Sequence, residues 1–534
     1  MAVEALKIVR QKTFLAILGS LTLGFNAISG YARAESPFDV TARCRALQGD
    51  DLSQLIDAPT QIIETKLIDS DGHKSGYCQV SGYVAPSVGF LIRLPSETWN
   101  GKLIELGCGG HCGSTDHVRL CDSLLRRGYA CIVTDDGHKS TGSQALWTYN
   151  NWQGQIDYFV RASHVTAVAG KAIVEHYYHE APKRAYFMGC SAGGREAMME
   201  AQRYPWDFNG IISGAPSLSQ TQIRMNLLWG IRAMHDSSGA PILKKADLEV
   251  LHKAAVAKCD LNDGVKDGLI GDPRKCGFDP AELLCTAARK TECLSAQQVE
   301  SAKKMYRGPV ISTSRSIQPP GAMKGSELNW LDYFGASSSA FVQETFRYFA
   351  FDPSPGMAWK LEDFDFDRDY KRFGLADGLY AAVNPDLRRF DDAGGKLLSY
   401  VGWNDAAGMP LPVIDYYEGV QKIMGPGPTK DFYRLFLIPG MNHCTGGEGA
   451  FHVDYLTYLE AWVERGEAPE KLTSFHVSID NAKDTRELIE RRLEFPLDPS
   501  TIEFSRPVYP YPTLTKYRGH GDPKNAASFE PVNP

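Results

Sequence analysis

Arg184-Ala-Tyr-Phe-Met-Gly189 is an apolar run that leads directly into Gly189-Cys-Ser-Ala-Gly-Gly194. The run predicts a buried strand, and the residues that follow it predict a helix. The second segment fits the pattern G-x-S-x-G, in which a tight strand-to-helix turn exposes a serine hydroxyl. Small flanking residues suit such a turn because backbone there approaches backbone. Ser191 is therefore the candidate nucleophile.

Strand and helix patterns alternate on both sides of this turn. Apolar, β-branched runs that follow helices are typical of parallel strands in βαβ units. We therefore expect an α/β core with a mostly parallel sheet. The expected strands are 103–106, 130–134, 184–189, 396–401 and 433–438, and the expected helices are 118–127, 161–178 and 195–204.

The segment 217–389 differs in residue composition and in hydrophobic periodicity from the regions on either side. It is rich in aromatic residues, Asp, Gly and Cys, and it has few long periodic runs. A chain of 534 residues is also long for a single core. We expect the core in two parts, 35–216 and 390–534, with 217–389 inserted between them as a lid domain. The Pro-rich tail, 505–534, is expected to be irregular and to lie on the surface.

The N-terminus has the pattern of a secretory signal. Lys7, Arg10 and Lys12 precede an apolar run, and Tyr31-Ala-Arg-Ala34 resembles an A-x-A cleavage site. The prediction is a signal peptide over 1–34, and the alternative is an uncleaved membrane anchor. The remaining chain has no Asn-x-Ser/Thr glycosylation acceptor. That favours a bacterial periplasmic or secreted protein over a eukaryotic glycoprotein.

Charge and cysteine content narrow the function classes. The formal net charge is −7 at pH 7, so the chain has no basic excess that would support binding to nucleic acid. Twelve cysteines in an exported protein favour disulfides over metal or redox ligands. Cys190 precedes Ser191, and Cys444 follows His443. If Cys190 and Cys444 join, they tie the nucleophile to a candidate base.

A serine hydroxyl needs a general base, and the base needs a carboxylate that fixes its tautomer. Asp405 and His443 each follow an expected strand, at the edge where an α/β sheet places its active-site loops. The chain order Ser, Asp, His therefore predicts a catalytic triad of Ser191, Asp405 and His443. The alternatives are Asp391 or Asp392 as the acid and His138 as the base; His138 is interpreted as structural.

Acyl transfer also needs hydrogen-bond donors for the developing oxyanion. One expected donor is the backbone N–H of Ala192, directly after the nucleophile. The other is expected from Gly109 or Gly110, in the Gly-rich loop after the strand at 103–106. The alternative is a loop that is merely a tight turn.

An acidic loop lies between Cys259 and Cys276. Its carboxylates, Asp260, Asp263 and Asp267, repel one another unless a cation holds them, and hard oxygen ligands on a short loop suit Ca²⁺. The carbonyls of Val265 and Leu269 are the expected further ligands. The spacing is not that of an EF-hand, and the alternative is a solvated acidic turn. No carboxylate of the loop adjoins the predicted triad in sequence, so the metal is expected to be structural.

Taken together, these motifs resemble the tannase and feruloyl esterase family. The likeness rests on Cys-Ser, Asp and His-Cys in that order and on the Asp-x-x-Asp-Gly-x-x-Asp-Gly loop that begins at Asp260, and it covers nearly the whole chain after residue 34. The other segments that carry it are Thr134-Asp-Asp-Gly-His138, Tyr204-Pro-Trp-Asp-Phe-Asn-Gly-Ile211, Pro439-Gly-Met-Asn-His-Cys-Thr-Gly-Gly447 and Arg506-Pro-Val-Tyr-Pro-Tyr-Pro512.

The resemblance implies an α/β-hydrolase core with a Ca²⁺-binding lid that closes over an aromatic acyl group. It also implies the disulfides Cys190–Cys444, Cys259–Cys276, Cys285–Cys293 and Cys44–Cys78. The other four cysteines, Cys108, Cys112, Cys121 and Cys131, leave three pairings open. Tyr509 and Glu530 stand where the family often has a further disulfide in its tail.

The implied function is that of a secreted serine esterase acting on esters of aromatic, phenolic acids such as feruloyl or galloyl esters. The alternatives are a hydrolase of aromatic monoesters such as mono(2-hydroxyethyl) terephthalate, a serine peptidase or lipase, and an inactive calcium-dependent binding protein. Aromatic rings of the inserted segment are expected to bind the acyl group, although any of them also suits the segment's own core. The candidates are Trp330, Phe341, Phe346 and Phe349, with Arg347 as a candidate partner for a substrate carboxylate.

Overall fold

The computed structural model describes residues 39–70, 75–310, 321–407, 410–478 and 492–533. A nine-stranded sheet runs through this part of the chain. Its strands are β1 (Thr60–Ile68), β2 (Tyr77–Val84), β3 (Val88–Pro95), β4 (Lys102–Leu106), β5 (Ala130–Thr134), β6 (Arg184–Cys190), β7 (Gly210–Gly214), β8 (Lys396–Gly402) and β9 (Tyr433–Ile438). Their order is β1-β2-β3-β5-β4-β6-β7-β8-β9.

Helices pack around this sheet and fill the long connection between β7 and β8. They are α1 (Val40–Ala46), α2 (Cys121–Arg126), α3 (Trp152–Ile156), α4 (Ala162–Tyr178), α5 (Ala192–Arg203), α6 (Gln220–Met234), α7 (Lys245–Cys259), α8 (Ala296–Arg307), α9 (Trp330–Tyr333), α10 (Ala336–Tyr348), α11 (Phe366–Asp369), α12 (Gly374–Tyr380), α13 (Arg388–Asp392), α14 (Pro410–Met424), α15 (Pro426–Phe432) and α16 (Tyr455–Arg465). A π-helical turn, Asp157–Arg161, joins α3 to α4.

The predicted α/β fold with a mostly parallel sheet is confirmed. Strands β5, β4, β6, β7, β8 and β9 pair in parallel, and β1, β2 and β3 add an antiparallel edge that joins at β5. All five predicted strands are present. Strand β7 was not predicted, because Gly210-Ile-Ile-Ser-Gly214 is short and has glycine at both ends, which weakens the strand signal.

The C-terminal tail corrects the prediction of an irregular surface segment. Ile502–Val508 forms β11 and pairs antiparallel with β10, Leu472–Val477. Leu514–Tyr517 and Phe529–Val532 form a second antiparallel pair, β12 and β13. Proline lacks an N–H and interrupts a ladder on one side only, so a two-stranded sheet tolerates Pro507. The proline content of the tail is therefore why its strands were not predicted.

The described helices between β7 and β8 enclose a hydrophobic cluster of their own. Leu228 of α6, Leu251 of α7, Trp330 of α9 and Phe346 of α10 all lie in it, each fully buried. This segment nevertheless belongs to one compact unit with the sheet, Val40–Pro534.

The predicted signal peptide, 1–34, lies outside the described residues. Within the ranges given above, no helix combines the length and the apolar character needed to cross a membrane.

Candidate active site

The turn between β6 and α5 presents Ser191. Its backbone has φ of 65° and ψ of −117°, a conformation rare for a residue with a side chain. Glycine is required on both sides: a Cβ on Gly189 would lie 2.3 Å from the Gly193 carbonyl oxygen, and one on Gly193 would lie 2.9 Å from the Cys108 carbonyl oxygen. The G-x-S-x-G pattern is thus explained by close backbone contact as well as by the turn.

The predicted acid, base and nucleophile meet at this turn. His443 Nε2 lies 2.8 Å from Ser191 Oγ, and His443 Nδ1 lies 2.7 Å from Asp405 Oδ2. The Asp405 side chain is fully buried, whereas that of His443 is 16% exposed and can be reached by substrate. The Asn404 N–H donates to the Met441 carbonyl at 3.0 Å and joins the loops that carry the acid and the base. Asp405 is thus the carboxylate that contacts His443, and its role as the catalytic acid, in place of Asp391 or Asp392, stays a prediction.

A disulfide braces these loops from the other side. Cys190 and Cys444 are bonded, with their Cα atoms 5.9 Å apart, across a sequence separation of 254. Cys444 is itself strained, with φ of 67°. The residue before Ser191 and the residue after His443 are therefore joined by one covalent bond.

The glycine-rich loop after β4 packs directly against the nucleophile turn. The Gly193 N–H donates to the Cys108 carbonyl at 2.7 Å, and the Tyr158 hydroxyl donates to the Gly110 carbonyl at 2.8 Å. Gly109 is exposed, and Ala192 begins α5, whose N-terminal amides point toward the turn. The loop that carries Gly109 and Gly110 therefore lies against the turn that carries Ser191 and Ala192, and the role of these three residues as donors stays a prediction.

Buried acids lie beneath this loop. Glu196 Oε2 accepts from the Cys108 N–H at 3.3 Å, and burial raises the pKa of both Asp136 and Glu196. Potential ligand atoms of Cys108, Cys112, Asp136 and Glu196 lie within 4.8 Å of one another, the arrangement of a buried metal-type site. Cys108 and Cys112 are bonded to each other, so their sulfurs are not thiolates here. Glu196 therefore supports the loop through its hydrogen bond from the Cys108 N–H.

His138 supports the same loop from outside, as predicted for a structural histidine. Its Nε2 lies 2.7 Å from the His111 carbonyl oxygen, and its ring stacks on Trp147 at 3.5 Å. Burial lowers the pKa of His138 to about 4, so the ring is neutral and donates to the carbonyl.

The family model for tannase and feruloyl esterase matches residues 72–532. The chain belongs to the tannase and feruloyl esterase family. It is a carboxylic ester hydrolase.

Relatives within the family are known from sequence and from crystal structures. The chain is 33% identical to the mono(2-hydroxyethyl) terephthalate hydrolase of Piscinibacter sakaiensis, over 85% of this chain and 84% of that one. It is 32% identical to a probable feruloyl esterase of Arthroderma benhamiae, over 83% and 82% of the two chains. The crystal structure of feruloyl esterase B from Aspergillus oryzae has the same fold, with a TM-score of 0.80 at 24% identity, over 92% of this chain and all of that one.

All four disulfides implied by the resemblance to the tannase and feruloyl esterase family are present, and the open pairings are resolved. Cys44–Cys78, Cys259–Cys276 and Cys285–Cys293 join as expected. The remaining cysteines form Cys108–Cys112, within the glycine-rich loop, and Cys121–Cys131, between α2 and β5. The predicted disulfide framework is therefore confirmed and completed.

The aromatic residues predicted to bind substrate require correction. Trp330 and Phe346 are fully buried in the cluster of the inserted helices, where Trp330 Nε1 donates to Ser326 Oγ at 3.0 Å. Phe349 is buried beneath the glycine-rich loop, 5.4 Å from the His111 ring. Hydrophobicity alone could not separate these core positions from pocket positions. Of the four residues, only Phe341 is half-buried, and its ring lies 4.2 Å from that of His111.

Tyr333 was not predicted as a site residue. Its ring meets the His443 ring edge-on, with centroids 6.1 Å apart, and burial raises its pKa. The sequence contained a weak signal, because Tyr333 lies in the aromatic stretch Trp330–Phe334 at the end of α9.

The predicted calcium loop is compact and rich in oxygen. Asp260 Oδ1 accepts from the N–H groups of Asp267 and Gly268 at 3.0 and 3.1 Å, which gathers the loop around one carboxylate. Asp263 and Asp267 line a small cavity of about 30 Å³. Burial and the neighbouring Asp267 raise the pKa of Asp263 to about 7.

Proposed function

We propose that this enzyme hydrolyses esters of aromatic, phenolic acids through an acyl-enzyme on Ser191. The observation that carries the proposal is the hydrogen-bonded chain from Asp405 through His443 to Ser191, at 2.7 and 2.8 Å. Distances of this size are what a nucleophile, a base and an orienting acid require. The names of the family and of its relatives supply the acyl class, which includes feruloyl esters.

In the first half of the reaction, the Ser191 oxygen bonds to the ester carbonyl carbon while its proton passes to His443 Nε2. Asp405 accepts from Nδ1–H and so keeps Nε2 free to take that proton. The negative charge that develops on the carbonyl oxygen is met by the amides of Ala192 and of Gly109 or Gly110. The carbon–oxygen bond to the alcohol then breaks, and His443 gives its proton to the departing alcohol.

In the second half, a water molecule takes the place of the alcohol. His443 accepts a proton from the water as its oxygen attacks the acyl carbon. The bond to Ser191 breaks, the serine recovers a proton from His443, and the carboxylic acid leaves. One water is consumed per ester, and the enzyme returns to its starting state.

We also propose that the segment 217–389 acts as a lid over the acyl group and carries Ca²⁺. Tyr333 and Phe341, two aromatic rings of this segment, contact His443 and His111 respectively. The residues suited to hold the metal are Asp260, Asp263 and Asp267 with the carbonyls of Val265 and Leu269, an all-oxygen set of the kind that Ca²⁺ prefers. When bound, the ion would neutralise these carboxylates and stiffen the loop. Residues 1–34 act as a signal peptide that directs the enzyme to the periplasm or the medium.

A substrate panel tests the proposal. We expect the wild-type enzyme to cleave methyl ferulate, methyl gallate, chlorogenate or a terephthalate monoester, and we expect Ser191→Ala to lose that activity while keeping its melting temperature. Comparing kcat/KM across the panel identifies the acyl group. Cleavage of long-chain triglycerides or peptides in preference to every aromatic ester would refute the proposed class, and a wild type inactive on all esters would favour a binding protein.

A further inference from the structure

Arg224 is a buried cation that has no carboxylate partner in the described part of the chain. It lies on α6, it is 5% exposed, and its Nη2 donates to Gln220 Oε1 at 2.6 Å. Arg224 Nε and Gln220 Nε2 are buried donors without a hydrogen-bond partner among the described residues. Across the same ranges, no carboxylate oxygen lies within 4.0 Å of this guanidinium. One turn of helix therefore presents two unsatisfied donors and an uncompensated positive charge.

Burying these donors and this charge costs folding free energy unless a hydrogen-bond acceptor or an opposite charge lies against them. Unpaired buried donors and charges are rare in folded proteins because they lose their hydration without replacement. The compensation visible here is partial: the Phe341 ring lies 4.0 Å from the guanidinium carbon, in cation–π geometry. Burial lowers the pKa of Arg224 to about 10, so the group is still a cation at neutral pH. Its natural complement is an anion.

The position of Arg224 links it to the candidate active site. The Ser217 N–H, three residues before α6, donates to the Ser191 carbonyl at 3.1 Å. The Phe341 ring, which lies against the Arg224 guanidinium, also packs on the ring of His111, the residue after Gly110. Arg224 is thus connected to the nucleophile turn through its own helix and to the glycine-rich loop through one aromatic ring.

Arg347, the arginine predicted to meet a substrate carboxylate, has other partners. Its Nε donates to the Trp359 carbonyl at 2.9 Å, and its Nη1 lies 3.8 Å from Glu344 Oε1. Its charge is therefore already offset within the inserted segment. Arg224, which has no such carboxylate in the described ranges, is the better candidate for an anion on the substrate.

We propose that Arg224 and Gln220 recognise an anionic oxygen on the acyl group, either a carboxylate or an ionised phenol carried by the aromatic ring of the acid. The inference rests on the proposed function of Ser191. A planar guanidinium offers parallel N–H donors to a carboxylate, and the amide of Gln220 adds a third donor at the next turn of the helix. Arg224 thereby selects esters whose acid bears a second acidic oxygen.

Matched esters test this selection. Monomethyl terephthalate carries the carboxylate, dimethyl terephthalate has the same ring without the charge, and methyl 4-hydroxybenzoate gains a charge only when its phenol ionises. We expect the wild type to favour the monoester over the diester in kcat/KM, and Arg224→Gln to lose at least about tenfold on the monoester, mainly through KM, with little change on the diester. A preference for the hydroxybenzoate that appears only above the pKa of its phenol would assign the ionised phenol as the ligand.

Arg232→Gln is the matched control. Arg232 lies on the same helix and faces the Phe366 ring at 5.4 Å, but it is exposed and donates to the carbonyls of Leu361 and Phe364. It should leave the ratio between the two terephthalate esters unchanged. An equal loss on charged and neutral esters in Arg224→Gln would show a purely structural brace and overturn the proposal, as would a wild type without preference for either acidic oxygen.

Binding separates this inference from the proposed function. In a Ser191→Ala background, calorimetric titration with monomethyl terephthalate reports affinity without turnover. Affinity that Arg224→Gln lowers at least about tenfold supports the anion site even if the wild type hydrolyses none of these esters. Equal affinity with and without Arg224, at unchanged melting temperature, refutes it while leaving esterase activity untouched.

Discussion

Ser191 occupies a backbone conformation that a residue with a side chain rarely adopts, and its neighbours hold it there. The Ser191 N–H donates to the Gly214 carbonyl at 3.0 Å, and its carbonyl accepts from Arg195 and Ser217. Both faces of the turn are therefore tied to neighbouring strands and helices. A strained residue persists only when its surroundings over-determine it, and at such a turn the strain exposes the hydroxyl to His443.

Asp405 is predicted to act through the tautomer of His443. Asp405→Asn keeps the shape but offers an amide, which favours the wrong imidazole tautomer, so we expect kcat on an aromatic ester to fall by a factor on the order of 10⁴. KM should change little, because Asp405 is buried behind His443. Asp392→Asn, at the exposed end of α13, is the control and should behave as wild type. A loss of less than about tenfold in Asp405→Asn would contradict this role.

At the level of elements, sequence reasoning succeeded where the signal was local. The strand before Ser191 and the tight turn after it depend on residues close together in sequence, and both are present. The choice of Trp330 and Phe346 as pocket residues failed because burial depends on which helices pack together, and both rings lie in the cluster between α6, α7 and α10. Arg224 was missed for the same reason: the surroundings of its guanidinium are visible only once α6 and α10 are placed side by side.

The disulfide Cys190–Cys444 joins the end of β6 to the loop that carries His443, called the histidine loop below. We predict that this disulfide contributes both to stability and to catalysis. Replacing Cys190 and Cys444 together by alanine should cost about 2–4 kcal/mol of unfolding free energy and lower kcat, because the long closed loop constrains the unfolded chain and the bridge aligns Ser191 with His443. The matched control is the double alanine variant of Cys285 and Cys293, which closes a separation of 8 residues in the inserted segment. It should lose less stability and keep kcat. Unchanged kcat in the first variant would reject the aligning role.

His252 couples α7 to the histidine loop by charge. Its Nδ1 lies 3.0 Å from Glu327 and its Nε2 lies 3.2 Å from Glu448. Burial alone would lower the pKa of His252, but the hydrogen bonds to both carboxylates outweigh it and raise the pKa to about 10. A folded pKa above the ordinary value of 6.5 adds stability that is complete below that value and disappears as the pH rises through 10.

The excess unfolding free energy of the wild type over His252→Gln should therefore shrink between pH 6.5 and 10. Denaturant unfolding at several pH values measures it. His520→Gln, at an exposed position near the C-terminus, controls for the loss of a histidine as such. A difference between wild type and His252→Gln that stays constant over this window would show that the charge is not what joins the elements.

For the whole molecule, the acidic loop is where three distant parts of the chain meet. Asp267 pairs with Arg506 of β11 at 2.6 Å, and Leu269 packs so closely on Gly440 that a Cβ there would lie 2.7 Å from its side chain. The disulfide Cys259–Cys276 ties the same loop to the end of α7. An ion bound here would join the tail, the loop that leads to His443 and the inserted helices, so its effect should be global.

Calcium removal is therefore predicted to lower thermal stability more than intrinsic chemistry. A ligand that binds only the folded state stabilises it by about 2.7 kcal/mol at a hundredfold excess over its Kd. We expect a higher melting temperature with Ca²⁺ than with chelator, and we expect Asp263→Asn to abolish the difference while Asp392→Asn preserves it. At temperatures well below melting, kcat on an aromatic ester should be similar with and without the ion. Superimposable melting curves with and without Ca²⁺ would exclude metal binding. A loss of kcat without a change in melting temperature would instead make the metal catalytic, because a metal that acts on the reacting groups changes the chemistry without changing the fold.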